Sequence, residues 1–260
     1  MFARAFADLE RDGLVRHDTK ASVSTARYLG KQDGLGFTLT CATLRAGGSQ
    51  ALSFTNHWET NLVLDGRGSL TNGLTEERHD LEPGTLWIAG PDLPHRLEAE
   101  DDLKVLGMFN PALDRHARPG LPRCTVRSTG DLEAMGRGKK ARSGNSDLLR
   151  YLLAEDGMGF TLSDCRMVKG CENRLWYRNH WEANLILAGE GSVEDLGNGT
   201  ITPLFPGVLY CVGPHDRHVV RTTTPMHLLS LFNPPLAGDE LHDDEGGYPP
   251  TGRVPPGPAG

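Results

Sequence analysis

The chain has 260 residues and a formal net charge of −7. This acidic balance argues against a nucleic-acid partner, because binding to a phosphate backbone requires a basic stripe. Its five cysteines are odd in number and lack CxxC spacing, so we expect no disulfide framework. The N-terminus has no apolar signal-peptide core and no apolar run could span a bilayer, so we expect a soluble, cytoplasmic protein with no membrane partner.

The short apolar runs along the chain, separated by glycine and proline, predict many strands and little helix. Helix is expected at Phe2–Arg11 and Asp131–Met135, and in the stretches before Arg27 and Arg150. Each half is expected to fold as a small antiparallel barrel or jelly roll, so the fold class is all-β. The clearest strands are Phe37–Thr43, Glu59–Leu64, Thr85–Ala89 and Val105–Phe109, with later partners Phe160–Arg166, Glu182–Leu187, Val208–Val212 and Leu228–Phe232.

The chain repeats itself at a fixed interval of 123 residues. The tetrapeptide NHWE at 56–59 returns 123 positions later, and over residues 27–113 the two copies share 33 identities in 87 aligned pairs. A repeat unit of this length indicates two copies of one folded domain. We therefore expect one domain at 1–123 and a second at 124–260.

Two segments of the second copy have unusual composition. The basic residues Arg137, Lys139, Lys140 and Arg142 lie near the domain junction, and their short run favours a solvated connection. The tail from about Gly246 to Gly260 is rich in proline and glycine. We expect it to be disordered beyond residue 248.

A His-x-Glu pair in a predicted strand is the first candidate for chemistry. Because side chains alternate along a strand, His180 and Glu182 share a face and Trp181 points the other way. Tyr210 and His218 follow on the next strand pair. A carboxylate, an imidazole and a third O or N donor inside a barrel are the ligand set of a divalent first-row metal. An isolated pair of this kind could equally be a hydrogen-bonded core pair, but both copies contain the order HxE, Gly, Pro-Gly and a later His, which is that of the cupin metal site.

Five segments of the second copy carry a family resemblance. They are DGMGF at 156–160, LWYRNHWEA at 175–183, GEGSVE at 189–194, FPGVLYCVGPHDRH at 205–218 and LFNPPLAGDELHDDEGGYP at 231–249. Together they resemble ectoine synthase, a family of cupin enzymes; the last segment is the most specific. The resemblance implies two tandem cupin barrels related by a pseudo-twofold axis. Ectoine synthase closes an N-acetylated 2,4-diaminobutyrate into a cyclic amidine with loss of water, and it depends on iron.

The resemblance also implies roles for individual residues. Fe(II), or another divalent first-row metal, would be held by Glu182, Tyr210 and His218. His180 would face the cavity, where it would contact the substrate or hydrogen-bond to a metal ligand, or it would serve as a further ligand itself. The segment Asn233–Tyr248 would form a lid over the second barrel. The implied substrate-binding residues are Arg150, Trp176 and Phe232, and the implied catalytic residues are Glu240 and His242 as an acid and base, with Tyr177 and His180.

Both copies depart from the family pattern. In the second, Ser146, Cys165 and Ser230 replace a tryptophan, a threonine and a cysteine, so the pocket is altered and the exact substrate stays open. In the first, Trp87 replaces the ligand tyrosine, Phe54 replaces Tyr177, and Asp114–Ala117 offers no E-x-H-D. We interpret the first copy as a degenerate partner that supplies a barrel-to-barrel interface. A vestigial second metal site there would comprise His57, Glu59 and His95.

The leading hypothesis is therefore a metal-dependent cyclodehydratase acting on an N-acylated diamino acid or a related amino-acid-derived substrate. One alternative is a cupin Fe(II) oxygenase or isomerase acting on a small amino-acid-like metabolite. Another is a non-catalytic bicupin that binds a small molecule. The chain is expected to be an intramolecular pseudo-dimer, and further homodimerisation stays open.

Overall fold

The computed structural model describes residues 1–112, 123–141 and 144–255. In these residues the chain forms 22 strands, two short α-helices and two 3-10 turns. The predicted all-β class is confirmed. Within the same ranges, no helix is long and apolar enough to cross a membrane.

The strands follow the same order in the two repeats. In the first they are β1 (Phe2–Arg4), β2 (Val15–Asp18), β3 (Val23–Leu29), β4 (Thr38–Leu44), β5 (Ser49–Leu52), β6 (Trp58–Asp65), β7 (Gly68–Asn72), β8 (Arg78–Leu81), β9 (Leu86–Ala89), β10 (His95–Ala99) and β11 (Leu103–Asn110). In the second they are β12 (Cys124–Arg127), β13 (Gly138–Lys140), β14 (Ser146–Leu152), β15 (Thr161–Met167), β16 (Glu172–Leu175), β17 (Trp181–Ala188), β18 (Gly191–Asp195), β19 (Ile201–Leu204), β20 (Leu209–Val212), β21 (His218–Thr222) and β22 (Met226–Asn233). The helices are α1 (Phe6–Arg11) and α2 (Thr129–Ala134).

The strand predictions were better than the helix predictions. The predicted strands are confirmed as β4, β6, β9 and β11 and their counterparts β15, β17, β20 and β22. The residues before Arg27 and Arg150 are not helical, because they pair as β3 with β4 and as β14 with β15. Likewise Phe2–Arg4 is a strand, and only Phe6–Arg11 of that predicted helix is helical. Pairing in a sheet overrides the weak local preference for helix in these segments.

The chain forms two compact units that do not coincide with the repeat boundary near residue 123. One unit comprises Ala7–Asp131; the other comprises Met1–Phe6 together with Leu132–Gly260. The difference arises because each repeat gives its first strand to the sheet of the other copy. β1 pairs with β20, and β12 pairs with β9, in equivalent registers 123 residues apart.

Each unit is built from two antiparallel sheets. In the unit of Ala7–Asp131 the sheet orders are β12-β9-β6-β11-β4-β3-β2 and β5-β10-β7-β8. In the other unit they are β1-β20-β17-β22-β15-β14-β13 and β16-β21-β18-β19. Apolar side chains from both sheets of a unit form one core, as shown by Ile186 and Leu228 with Val193 and Val220 in the second. This is the barrel or jelly-roll arrangement expected from the sequence.

One glycine at the same place in both repeats is required by its surroundings. Gly66 and Gly189 adopt positive φ angles of 80° and 85°. A Cβ atom at either position would also collide with a backbone carbonyl oxygen, that of Asp102 or that of Pro225. Only glycine meets both conditions, which explains why this turn recurs unchanged. The five cysteines are free, so the expectation of no disulfide framework is confirmed.

Candidate active site

A cavity of about 580 Å³ opens inside the second barrel. Its walls are the inner face of the seven-stranded sheet, the edge strand β16, and the segment that follows β22. Seven of the ten residues implied by the resemblance line it: Arg150, Tyr177, Glu182, Tyr210, Phe232, Glu240 and His242.

Glu182 lies on β17, an interior strand of the seven-stranded sheet, and is almost fully buried. Its Oε1 accepts a hydrogen bond from the Ser230 hydroxyl at 3.1 Å, whereas its Oε2 is buried without a hydrogen-bond partner. Burial raises the pKa of Glu182 to about 7, although the Ser230 bond opposes the shift. A buried carboxylate with an unpaired oxygen is costly unless a cation binds it.

His218 begins β21 and is completely buried. Its Nδ1 donates to the carbonyl oxygen of Asp216 at 3.0 Å, which leaves the lone pair on Nε2. This Nε2 is buried without a hydrogen-bond partner and lies 3.9 Å from Oε2 of Glu182. Burial lowers the pKa of His218 and so favours the neutral imidazole that can ligate a metal.

Tyr210 is the third ligand that the resemblance implies. It lies on β20 opposite Asn184 of β17, and it is buried beside the cavity. Burial, with the charge of Glu182, raises the pKa of Tyr210 well above its usual value, so the phenol is neutral unless a cation is bound. In the described part of the chain, His, Cys, Asp and Glu side chains alone form no metal-binding group of three.

An aromatic wall faces these groups. The hydroxyl of Tyr177 lies 3.1 Å from Nε2 of His242. The ring of Tyr248 stacks on His242 with centroids 4.3 Å apart and on Tyr177 at 5.2 Å, while Phe232 meets Tyr177 edge-on at 4.9 Å. Tyr248 was not predicted to be a site residue. The only feature of the sequence that pointed to it was its place in the last family-like segment, 231–249. These contacts bring the segment after β22 against the cavity.

Glu240 and His242 line the same cavity but make different contacts. The carboxylate of Glu240 accepts hydrogen bonds from the backbone N–H groups of Ala237 and Gly238. Lys139 adds hydrogen bonds from Nζ to the carbonyl oxygens of Glu240, at 3.3 Å, and Gly238, at 3.5 Å. Glu240 is thus built into the turn that carries His242.

The basic stretch is part of this site, and its interpretation as a solvated connection was wrong. Arg137 is buried in ion pairs with Asp156 at 3.0 Å and Glu155 at 2.7 Å. Lys139 and Lys140 lie on the edge strand β13 and line the cavity. Short basic runs are usually solvated, and only the pairing of β13 with β14 places this one at the cavity. Arg142 lies outside the described residues.

Two residues expected to face the substrate do not line the cavity. His180 precedes β17, so strand alternation does not direct its side chain; its Nε2 lies 2.9 Å from the Thr251 hydroxyl, and burial lowers its pKa to about 4. Trp176 donates from Nε1 to the carbonyl oxygen of Pro214 at 2.7 Å. Its ring carries the guanidinium of Arg217 at 3.9 Å.

The tail beyond Tyr248 covers this side of the barrel. Besides the contact of Thr251 with His180, the carbonyl oxygen of Pro255 accepts a hydrogen bond from Nε1 of Trp181 at 3.0 Å. The disorder predicted beyond residue 248 therefore does not describe residues 249–255. Residues 256–260 lie outside the described residues.

The first repeat places the corresponding pair differently. Nε2 of His95 lies 3.3 Å from Oε2 of Glu59. Burial alone would lower the pKa of His95, but the interaction with Glu59 outweighs it and raises this pKa. Trp87 is fully buried and offers only an N–H donor. His57 contacts the carbonyl oxygen of Pro111 through Nδ1 at 2.9 Å. The segment at 114–117, noted for its missing E-x-H-D, lies outside the described residues.

Solved structures with low sequence identity share this fold. An oxalate decarboxylase from Lactobacillus farciminis, 12% identical, superposes with a TM-score of 0.69 over 92% of this chain and 87% of that one. A cupin 2 conserved barrel domain protein from Leptotrichia buccalis, also 12% identical, has a TM-score of 0.58 over 89% of this chain and 96% of its own. These likenesses confirm the tandem cupin barrels and carry no information on the reaction.

Relatives with higher sequence identity indicate the family more specifically than these structural likenesses do. The L-ectoine synthase of Sphingopyxis alaskensis is 44% identical over 124 residues, which are 48% of this chain and 89% of the relative. A single relative thus corresponds to about half of this chain. The family profile described as ectoine synthase matches residues 1–117 and again 124–252. Since the match covers both repeats, the chain belongs to the ectoine synthase family and is an enzyme of the hydro-lyase type.

Proposed function

We propose that the second barrel closes an N-acylated diamino acid into a cyclic amidine with loss of water. The observation that supports this most directly is that Glu182 and Tyr210 line one cavity together with Arg150 and His242, while Nε2 of His218 lies 3.9 Å from Oε2 of Glu182. In the reaction, the free amine forms a C–N bond to the amide carbonyl carbon. The carbonyl oxygen leaves as water with two protons taken from the nitrogens.

The donor set fits a divalent first-row metal, and we propose Fe(II) as that metal. Oε2 of Glu182 and Nε2 of His218 are both buried without hydrogen-bond partners, 3.9 Å apart, and Tyr210 lies beside the same cavity. A carboxylate, a neutral imidazole and a phenol together suit an ion of this class. When bound there, the metal would polarise the amide carbonyl of the substrate as a Lewis acid.

Arg150 is proposed to bind the substrate carboxylate. It lies on β14, opposite Ser163 of β15, and lines the cavity. Partial burial lowers its pKa, but a guanidinium stays charged in proteins and presents a two-pronged donor to a carboxylate. Lys139, on the adjacent edge strand, holds the turn that carries Glu240. Arg150 would thus bind the substrate, whereas Lys139 stabilises the turn of the protein.

His242 and Tyr177 are proposed to move the protons. His242 is exposed as a whole residue, yet the groups packed around its ring, including Tyr248, partly desolvate it and lower its pKa. Its neutral imidazole can accept a proton from the attacking amine. The Tyr177 hydroxyl, 3.1 Å from Nε2, orients this ring. Glu240 shapes the turn through its two backbone hydrogen bonds and keeps His242 over the cavity.

The test combines metal analysis with an activity assay. The protein loaded with Fe(II) is incubated with N-acetylated 2,4-diaminobutyrates under air and under anaerobic conditions, and a cyclic amidine is sought by mass spectrometry. Cyclodehydration consumes no oxygen, so we expect equal product in both. A different product, heavier by added oxygen and formed only under air, would favour the oxygenase alternative. A metal-free, inactive protein that still binds the compounds would favour the binding-module alternative.

A further inference from the structure

The cavity extends well beyond the residues that the proposed reaction uses. Phe232 and Leu228 both line it, and they are four residues apart on β22, which is roughly 13 Å along a strand. Leu228 is paired with Cys165 of β15, and Cys165 is paired with Leu148 of β14. The cavity therefore continues along the inner face of the sheet, away from the lid.

The side of this inner part that the seven-stranded sheet forms is mainly apolar, and Asn145 and Asn173 line the cavity next to it. Cys165, Met167, Val220 and Leu228 belong to the apolar core of the barrel, and Leu148 packs against them. All five also line the cavity, as does the small side chain of Ser146, which lies opposite Met167. We call this region the inner compartment; its residues are Leu148, Cys165, Met167, Val220, Leu228 and Ser146.

The first repeat shows that the fold can fill this space. There Trp87 is completely buried, and its core cluster contains Leu44, Leu97 and Val105, the counterparts of Met167, Val220 and Leu228. At the position of this indole the second repeat has Tyr210, a smaller ring that lines the cavity. The inner compartment is thus a feature of the second barrel rather than a requirement of the fold.

We propose that the inner compartment binds the acyl group of the substrate, and that this group is an unbranched apolar chain longer than acetyl. The inference rests on the proposed function, because it identifies the acyl part of an N-acylated diamino acid. A cavity of about 580 Å³ lies within the range that holds drug-sized ligands, roughly 300–1,000 Å³. With the diamino acid between Arg150 and Glu182, an acetyl group would leave the apolar walls unused. A longer acyl chain would cover these apolar walls.

Burial of methylene groups gives the expected size of the effect. Each buried methylene stabilises binding by an amount equivalent to about a fourfold change in affinity. An N-butyryl compound has two methylenes more than the N-acetyl compound, so we expect it to bind about fifteenfold more tightly. An N-hexanoyl compound should bind more tightly still, and the gain per methylene should stop once the acyl chain fills the compartment.

The experiment measures binding and turnover on the same protein. The Fe(II)-loaded full chain is titrated by calorimetry with N-acetyl-, N-butyryl- and N-hexanoyl-2,4-diaminobutyrate, and each sample is then assayed for cyclic product. Affinity that rises along the series supports the inner compartment whether or not product forms. Affinity that is flat or falls overturns it, even if the acetyl compound is turned over. Absence of product from all three compounds would instead refute the proposed reaction.

A variant locates the effect in the structure. Ser146→Phe places a ring in the inner compartment, so we expect the preference for the hexanoyl over the acetyl compound to fall at least about tenfold, with acetyl binding retained. The control is Val23→Phe, which introduces the same ring at the equivalent position of the first repeat and should leave the preference intact. Thermal melts confirm that both variants fold. An unchanged preference in folded Ser146→Phe would overturn the assignment.

Discussion

Nε2 of His218 lies 3.9 Å from Oε2 of Glu182, whereas the equivalent atoms of His95 and Glu59 in the first repeat lie 3.3 Å apart. In both repeats these two atoms are buried without a hydrogen-bond partner, and in the second barrel Tyr210 lines the adjoining cavity. In the first, the pair is closer, and Trp87 replaces the phenol. The two copies thus share this pair of residue types and differ in the separation of its atoms and in the third side chain, Tyr210 in the second repeat and Trp87 in the first.

This asymmetry predicts different outcomes for equivalent substitutions. Glu182→Ala or His218→Ala should remove bound metal and lower turnover at least about 100-fold, since even residues that only orient metal ligands cost 10- to 100-fold. Glu59→Ala, the matched control, should keep metal and turnover and lower only the melting temperature. Metal content by elemental analysis and turnover are measured together. Equal loss of activity in both repeats would contradict the assignment of the site to the second barrel.

The raised pKa of Glu182 predicts a pH-dependent stability of the metal-free protein. In the unfolded chain this carboxyl titrates near 4.5, but in the folded protein its pKa is about 7. Between these values the folded state keeps a proton that the unfolded state has lost, so stability decreases as pH rises through this window. Replacing the carboxyl with a neutral amide should remove this decrease in the free energy of unfolding, which amounts to about 3 kcal/mol at most.

Glu182→Gln without metal should therefore melt higher than the metal-free wild type at pH 8, by roughly 5–10 °C. The difference should shrink as pH falls and vanish only below pH 4.5, where the carboxyl is protonated in both states of the wild type. Differential scanning calorimetry across this range gives the comparison, and Glu59→Gln serves as the control. A constant difference at every pH would show that the carboxyl of Glu182 does not carry the effect.

The exchanged strands predict that substitutions in β1 destabilise the sheet of the second repeat, and that substitutions in β12 destabilise the sheet of the first. Ladder hydrogen bonds alternate along an antiparallel strand, so two consecutive prolines remove at least one of them. Ala3→Pro with Arg4→Pro should cost on the order of 1–3 kcal/mol and expose β20, which carries Tyr210. Val126→Pro with Arg127→Pro should do the same to β9. Hydrogen exchange should show faster exchange in β20 for the first pair and in β9 for the second; the reverse pattern would contradict the exchange of strands.

The sequence predicted much of the site because its residues lie on regular strands. Alternation of side chains along β17 directs Glu182 inward. The 123-residue register aligns Tyr210 with Trp87 and so shows that the two repeats differ at this position. His180 was misplaced because it precedes the strand, so the same alternation does not apply. The exchange of β1 and β12 could not be predicted, since a repeat does not reveal which copy a strand joins.

The last prediction concerns the lid. A chain that ends after Leu236 lacks His242 and Tyr248, so it loses the imidazole and the aromatic wall that limits water entry. It keeps Glu182, Tyr210 and His218. We therefore expect it to bind metal but to lose turnover by at least about 100-fold, the typical contribution of a general acid or base. A chain that ends after Pro255 is the control and should be fully active. Full activity of the shorter chain would exclude His242 from proton transfer, and loss of its metal would show that the segment holds the barrel together instead.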